Sequence, residues 1–446
     1  MCSLMSVAFE SNKYQKINFD GGDLSSDAGL LLLKEFASRI GFDRIIRSNF
    51  KTNDDASFRF HTDYQNLMQM IYQILSAYYT DDCADELTTD PVMTAILDKD
   101  ALASQPTLSR FFNRMDDDTL DQFNRINAQL RKRIYSIQKP ECLLLDLDST
   151  LLPTYGMQEG GVFNFHYQAD GYHPIVCYEG ITGDLLKILL RKGADYSCTG
   201  VKDFLEPLLD ELQDTCPDTQ LALRGDSGFA TPELYDLCEE RNVKYAIRLK
   251  ENSVLKRLCA DEDAELYRAV IKEGDSISYA VTYGEFMYQA QTWNEPRRVV
   301  FKIEKPYNQI IHMYTFIVTN MEELQPYQVI QYHCGRGRME NFIKESKDGF
   351  DFAAVSGKSM TVNANRVQIH ALAYNLFNWF RRIALPISMR KQRVDTIRLK
   401  LLKIAARVVH SARYITFKLC SSCPYKNEFF ETLTNIKKLQ FTAQLE

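Results

Sequence analysis

The stretch Leu143-Leu144-Leu145-Asp146-Leu147-Asp148-Ser149-Thr150 decides how the chain is read. Three leucines followed by acid, leucine, acid predict a buried strand that turns polar as it leaves the core. Side chains alternate along a strand, so Asp146 and Asp148 point to the same side of the sheet. A carboxylate at the mouth of an apolar strand is costly unless water, a donor or a cation meets it. One reading has these acids capping the turn, with Asp148 accepting from the amides of Ser149 and Thr150. The other makes them part of a site, and the choice rests on what lies downstream.

A second acid stands in a similar place. Leu221-Ala222-Leu223 predicts a strand that ends in Arg224-Gly225-Asp226-Ser227-Gly228-Phe229. Sites in α/β sheets favour the carboxyl ends of strands, where the chain reverses and leaves a crevice. Gly225 and Gly228 permit close backbone approach, although an Asp that merely stabilises its own turn fits the same pattern. The third element runs from Tyr332 through Arg336, Glu340 and Lys344 to Lys347. On a helix these last four share one face. They read either as a surface ion-pair ladder or as one metal-binding carboxylate among phosphate-gripping cations.

The bulk properties set the frame. At 446 residues, with an ordinary composition, the chain accommodates two or three domains. A net charge of -6 excludes a uniformly basic nucleic-acid coat but leaves room for local basic patches. Eleven scattered cysteines without framework spacing fit reduced thiols. The start lacks the features of an export signal, and no apolar run approaches the roughly 20 residues that span a bilayer. A soluble, cytoplasmic protein with no membrane partner is expected, associated with the nucleoid when bound to DNA.

Taken in order, residues 1–139 predict a helical N-terminal region, DNA-binding only by the family resemblance that the later motifs carry. Its helices fall over Ala28 to Ile40, Tyr64 to Tyr79, Leu108 to Phe112 and Leu120 to Ile134. The acids Asp81, Asp82, Asp85 and Glu86 are expected on a solvated surface between helices. Residues 140–252 alternate strands with helices and predict the first part of a mixed-sheet core. A turn is expected at Gly183-Asp184 and a helix opening at Thr231-Pro232-Glu233. Residues 253–329, with strands over Ser276 to Thr282, Arg298 to Ile303 and Met313 to Thr319, predict a β-rich insertion. Residues 330–385 return to the core with the helix of Glu340 and a long helix over Asn363 to Ile383. Residues 386–446 predict a basic helical C-terminal region. From Arg381 to Cys420 there are eleven basic residues against one acid, Asp395. That imbalance suits a phosphate backbone better than a balanced solvated face.

Three carboxylates drawn from distant parts of the chain are what a paired magnesium site requires. Each ion is hard, prefers oxygen and keeps water or phosphate oxygens in its shell. Two ions about 3.5–4 Å apart can activate an attacking oxygen and stabilise a leaving one in an in-line displacement at phosphorus. Hydrolysis and strand transfer then differ in whether water or a 3′ hydroxyl attacks.

The order strand-Asp, strand-Asp, β-rich insertion, helix-Glu resembles the DDE transposases of bacterial insertion sequences. Asp148-Ser149-Thr150 is similar to their first motif and Gly225-Asp226-Ser227-Gly228-Phe229 to their second. Arg336, three residues, Glu340, six residues, Lys347 resembles the Tyr-Arg-Glu-Lys signature of the insertion-sequence-four-like branch. Tyr332 stands one residue further from Arg336 than in that signature. The wording around Asp148 and Glu340 looks closest to the group named after insertion sequence thirteen-eighty. The resemblance implies an α+β multidomain protein with a ribonuclease-H-like core, helices on both faces of its sheet, and helical flanking regions. It implies that Asp148, Asp226 and Glu340 hold two magnesium ions, with manganese as a substitute and Asp146 the rival for the first position. Tyr332, Arg336, Lys344 and Lys347 would contact DNA. The implied partners are double-stranded DNA with terminal inverted repeats, target DNA and a second copy in a DNA-bound homodimer. The implied activity is cut-and-paste transposition. The alternatives are a nuclease on the same fold that never joins, or a domesticated non-catalytic DNA-binding protein. Cys420 and Cys423, with His410 nearby, are too few ligands for structural zinc. His166 and His173 are read as surface or satisfied core residues.

Overall fold

The computed structural model describes residues 6–272, 279–309 and 311–440. The chain divides into two compact units: Met1–Ile137, Lys347–Ala354 and Asn365–Glu446 form one, and Gln138–Ser346 with Val355–Ala364 form the other.

The second unit is built on an eight-stranded sheet. Its strands are β1 (Cys142–Ser149), β2 (Ile175–Glu179), β3 (Leu185–Leu189), β4 (Gln220–Gly225), β5 (Lys244–Leu249), β6 (Ala280–Tyr288), β7 (Arg297–Lys305) and β8 (Met313–Thr319). Their order across the sheet is β6-β7-β8-β5-β4-β1-β2-β3. The leucines of β1 are buried, as an apolar run between two paired neighbours must be. It pairs parallel with β4 and antiparallel with β2, and β4 pairs parallel with β5. The turn at Gly183 takes a left-handed φ of 74° between β2 and β3, as expected of Gly183-Asp184.

Helices cover both faces, and β5 shows how. Tyr245 stacks on Tyr235 of the helix Pro232–Glu240, with ring centroids 5.6 Å apart. Its neighbour Ala246 points the other way and joins Val300, Ile317, Val329 and Ile330 in a buried cluster under the helix Pro326–Cys334.

Residues 253–329 differ from the expected separate β-rich insertion. The segment begins with two helices, Ser253–Leu258 and Ala260–Lys272. Its three strands then extend the main sheet, because β8 pairs antiparallel with β5, Leu249 opposite Phe316. Alternation marked these strands but carries no information about their partners. Of the strand expected over Ser276 to Thr282, Ser276 to Ser278 lie outside the described residues, and β6 starts at Ala280.

A small antiparallel sheet follows β1 in the same unit. Leu152–Pro153 and Val162–Asn164 flank Ala169–Tyr172.

The first unit is largely helical. Leu30–Arg39, Asp63–Leu75, Gln105–Phe112 and Asp117–Ile137 lie close to the expected helices. Thr62 and Gln65 close a capping box at the start of the second of these. Its other end is met by Arg398, whose Nε and Nη2 donate to the carbonyls of Leu75 and Ile74 at 2.9 and 3.0 Å. A buried guanidinium there satisfies carbonyls that the helix leaves without partners. The long helix runs Met360–Ile383, and from Asn365 onward it belongs to this unit, not to the core assigned to 330–385. Phe380 meets Phe36 edge to face at 5.7 Å.

Two expectations are corrected here. Asp81 is buried, not solvated, and pairs with both terminal nitrogens of Arg366 at 3.2 and 3.3 Å. The basic C-terminal region is not uniformly helical: Ala406–His410 and Ile415–Leu419 form a hairpin that pairs with Leu24–Ser25. Of its eleven bases, Arg398 caps a helix and Lys403 pairs with buried Asp27 at 2.6 Å. Arg390, Lys391, Arg393, Arg407, Arg413 and Lys418 remain exposed and can face phosphates.

This unit also carries an acid-sensitive group. His370 is buried, with its Nδ1 2.5 Å from the Phe350 carbonyl. Burial pushes its pKa down to about 4 from an ordinary 6.5, and Arg366 acts in the same sense. The folded state therefore keeps His370 neutral where the unfolded chain protonates it. Its contribution is complete above pH 6.5 and lost as pH falls toward 4, on the order of 2–3 kcal/mol in all. Denaturant melts of the wild type and of His370→Gln between pH 7 and pH 4.5 should show a smaller acid loss in the variant.

Candidate active site

Two parallel strands in register bring the acids together. In the β1–β4 pairing Asp146 stands opposite Arg224. Two residues further along, on the same side of each strand, come Asp148 and Asp226. The deeper layer is an ion pair: Arg224 grips both oxygens of Asp146 at 2.6 and 2.7 Å, and Asp146 has no exposed surface. The fit is tight, because a Cβ on Gly180 would lie 2.5 Å from Asp146 and one on Gly335 2.7 Å from Arg224. Asp146 is thus a partner for Arg224, whereas Asp148 lies two residues further out along β1.

The outer layer is the candidate site. Asp148 is partly buried and accepts from the Ser149 amide at 2.8 Å. Its second oxygen meets Arg336 Nη2 at 2.8 Å. Burial raises its pKa above the usual carboxylate value, Arg336 opposes that, and the charges of Asp226 and Glu340 add to the rise. Asp226 and Glu340 therefore both lie within electrostatic reach of Asp148. Asp226 also caps its own turn, accepting from the Gly228 amide at 2.9 Å. Both aspartates stabilise their own turns, although the Thr150 amide expected on Asp148 donates instead to the Pro174 carbonyl at 3.3 Å.

Glu340 arrives on the helix Gly337–Phe350, in its first turn. The segment before that helix is fastened to the strand ends at three points. Arg224 Nη1 donates to the Tyr332 carbonyl at 2.6 Å, and His333 Nε2 lies 3.1 Å from the Gly225 carbonyl. Arg336 Nη2 donates to the Leu147 carbonyl at 2.9 Å. Burial pushes the His333 pKa down to about 4, so near neutrality it is an uncharged bridge. Further along, Ser346 and Tyr178 share a hydrogen bond of 2.7 Å, and Phe342 packs on the Tyr178 ring at 5.9 Å.

The remaining expected residues divide. Lys344 and Glu340 are exposed, whereas Lys347 is half-buried where the helix passes into the other unit. Tyr332 has a buried hydroxyl without a hydrogen-bond partner among the described residues, and its ring lies 5.3 Å from the Arg224 guanidinium. As placed, it offers DNA no exposed hydroxyl. Residues that the sequence reading passed over also border the site. Tyr167 donates to the Ser149 carbonyl at 3.2 Å, and Ser197 meets Ser149 Oγ at 2.9 Å. Buried Arg191 holds the loop of Ser197 by donating to the carbonyls of Tyr196, Ser197 and Thr199. His173 Nδ1 lies 2.8 Å from the Asp195 carbonyl, the satisfied core role expected of it.

The donor set suits a hard divalent cation, since it offers three carboxylates and no sulfur. Among the described residues, no three His, Cys, Asp or Glu side chains stand where they could together hold an ion. Asp148 gives one oxygen to Arg336 and exposed Glu340 is turned to solvent, so these two side chains must shift to share a ligand.

A family model described as transposase DDE domain group 1 matches residues 7–441. The chain belongs to this DDE transposase family. Two solved structures are similar to it at low identity. A piggyBac transposase synaptic complex with hairpin DNA shares 12% identity, with 85% of this chain and 80% of that one covered and a TM-score of 0.42. A Mos1 transposase paired-end complex with left transposon end shares 13%, with 52% and 76% covered and a TM-score of 0.18. Comparison with curated proteins gave no match. No described helix of the transposase is long and apolar enough to cross a membrane.

Proposed function

We propose that the chain cuts DNA at the ends of an insertion sequence and joins those ends to target DNA. The core reads as ribonuclease-H-like, with β3-β2-β1-β4-β5 as its five strands and the acids at the ends of β1 and β4. Asp148, Asp226 and Glu340 are the residues that would hold two magnesium ions. Bound there, the ions would activate water or a 3′ hydroxyl and stabilise the leaving oxygen. The observation that carries this reading is structural: Asp148 and Asp226 follow the facing residues Asp146 and Arg224 of adjacent strands by two positions each, and Arg336, one turn before Glu340, reaches back to Asp148 at 2.8 Å.

The chain's own residues supply orientation. Arg336 already spans the Leu147 carbonyl and Asp148, so it can exchange the carboxylate for a phosphate oxygen as DNA arrives. Lys344 lies one helical turn beyond Glu340, exposed on the same face, and adds positive charge along the backbone path. The exposed arginines and lysines of residues 390–418, in the other unit, would add sequence-independent attraction to DNA. The motif wording supports the thirteen-eighty group of the insertion-sequence-four-like branch, a DNA-bound homodimer and terminal inverted repeats as the recognised ends.

A supercoiled plasmid carrying the repeats that flank the gene, incubated with the full chain and magnesium, tests the reading. Excised element and joined product are expected. Nicked plasmid without joining would establish the nuclease alternative, and binding without cleavage would establish the non-catalytic one.

A further inference from the structure

Cys420 and Cys423 stand where the hairpin of residues 406–419 hands the chain to the helix Lys426–Lys437. Cys420 is exposed and Cys423 partly exposed. His410 is no companion for them. In the hairpin register it faces Ile415, whereas Ala406 faces Leu419, so it lies at the opposite end from Cys420.

The backbone holds the two cysteines close. The Cys423 amide donates to the Cys420 carbonyl at 3.2 Å, which closes a four-residue turn. Such a turn keeps its end Cα atoms within about 7 Å, and a disulfide spans Cα separations up to about 6.8 Å. The turn is also anchored at its start, because the Cys420 amide donates to the Ala405 carbonyl at 2.8 Å.

Their surroundings give the two sulfurs unequal roles. Cys420 Sγ lies 3.1 Å from the Ser422 hydroxyl. That hydroxyl, the amides of Ser422 and Cys423 and the charge of Lys426 lower the Cys420 thiol pKa. Cys142 makes the contrast. It is also exposed, but desolvation of its sulfur and the charges of Glu179 and Glu141 raise its pKa, and the next cysteine in sequence, Cys177, is buried. An exposed thiolate with a second thiol in reach is the arrangement that oxidants select.

We propose that Cys420 and Cys423 form a reversible oxidation site for hydrogen peroxide, with Cys420 the attacking sulfur and Cys423 the resolving one. The Cys420 thiolate attacks one peroxide oxygen, the O–O bond breaks, and hydroxide leaves and takes up a proton to become water. Cys420 is thereby oxidised to the sulfenic acid. The Cys423 sulfur then attacks the Cys420 sulfur, the S–O bond breaks, and a second water leaves with the Cys423 proton. Two thiols and one peroxide give one disulfide and two waters. The new bond closes a ring across the joint between the hairpin and the last helix, and a dithiol reductant reopens it.

The test uses the full chain, reduced and then exposed to hydrogen peroxide, with free thiols alkylated before digestion. Trypsin releases both cysteines in one peptide, Leu419–Lys426, which holds no other cysteine. After peroxide that peptide should lose both alkyl groups and weigh two hydrogens less than the reduced form, and dithiothreitol should restore alkylation. Cys420 should also react with iodoacetamide several-fold faster than Cys142. In Cys423→Ser a sulfenic acid should persist on Cys420 and be trapped by dimedone, whereas Cys420→Ser should give no adduct at Cys423. Circular dichroism of each variant confirms that the fold is kept. Two thiols that stay alkylatable after peroxide overturn the proposal, as does oxidation of Cys142 or Cys334 at the same rate. A disulfide between two chains overturns it as well. Protection of both reduced thiols by added zinc, without oxidation by peroxide, would make the pair a metal site and also overturn it.

Discussion

Glu340→Gln is expected to abolish strand cleavage while leaving DNA binding at the wild-type level. The side chain is exposed in the first turn of its helix, so the substitution removes a favourable interaction with the helix dipole worth less than about 1 kcal/mol. The fold should not register it. What is lost is one of three charges that would hold divalent ions. A metal ion contributes several kcal/mol to a displacement at phosphorus, so cleavage should drop by at least about a thousandfold. Gel-shift titration with repeat-bearing DNA and a cleavage time course, run on the same preparation, separate the two effects. Cleavage at wild-type rates in the variant would remove Glu340 from the site. Weakened binding with unchanged chemistry would recast it as a DNA contact.

Arg224→Met should produce the largest loss of stability of any single change in the sheet core. The substitution leaves Asp146 charged, fully buried and unpaired, a situation that typically costs about 3–5 kcal/mol. It also removes the donor to the Tyr332 carbonyl, one of three fastenings that hold the helix of Glu340 to the strand ends. Chemical denaturation should show a large drop in the midpoint for the single variant. Asp146→Leu combined with Arg224→Met should recover most of it, because apolar replacement of a buried pair is often neutral or better. A single variant within about 1 kcal/mol of wild type would mean that water reaches Asp146 and that the pair is not sealed.

The second experiment probes the burial of Asp146, which the sequence alone did not separate from its neighbour Asp148. Alternation places Asp146 and Asp148 on one side of β1, and nothing within that strand ranks them. The signal lay in a second stretch: Arg224-Gly225-Asp226 has the same two-residue spacing, with a base in the inner position. Setting the two strands parallel and in register pairs Asp146 with Arg224 and leaves the outer acids together. Register between strands far apart in sequence is a property of the packed sheet, not of either segment.

The same limit explains the other differences. The strands β6, β7 and β8 were visible as alternation, but their place at the edge of the main sheet depends on β5 having a free side. Asp81 belongs to an acidic run that reads as surface, and its burial follows from Arg366, almost three hundred residues later. Arg398 reads as one base in a basic segment, yet it ends a helix near the start of the chain. Local features travelled better. The helix at Thr62, the turn at Gly183 and the strand that turns acidic at Asp146 are all decided by residues close in sequence.

Asp148 and Asp226 each lie two residues past the last facing pair of β1 and β4, so the ladder between those strands sets where both acids start out. The strands β6, β7 and β8 that follow β5 are added on its far side, with β5 between them and that ladder. Val300 and Ile317 of these strands pack against Val329 and Ile330 of the helix that leads into the segment carrying Glu340, so the added strands buttress the third acid while the ladder carries the other two.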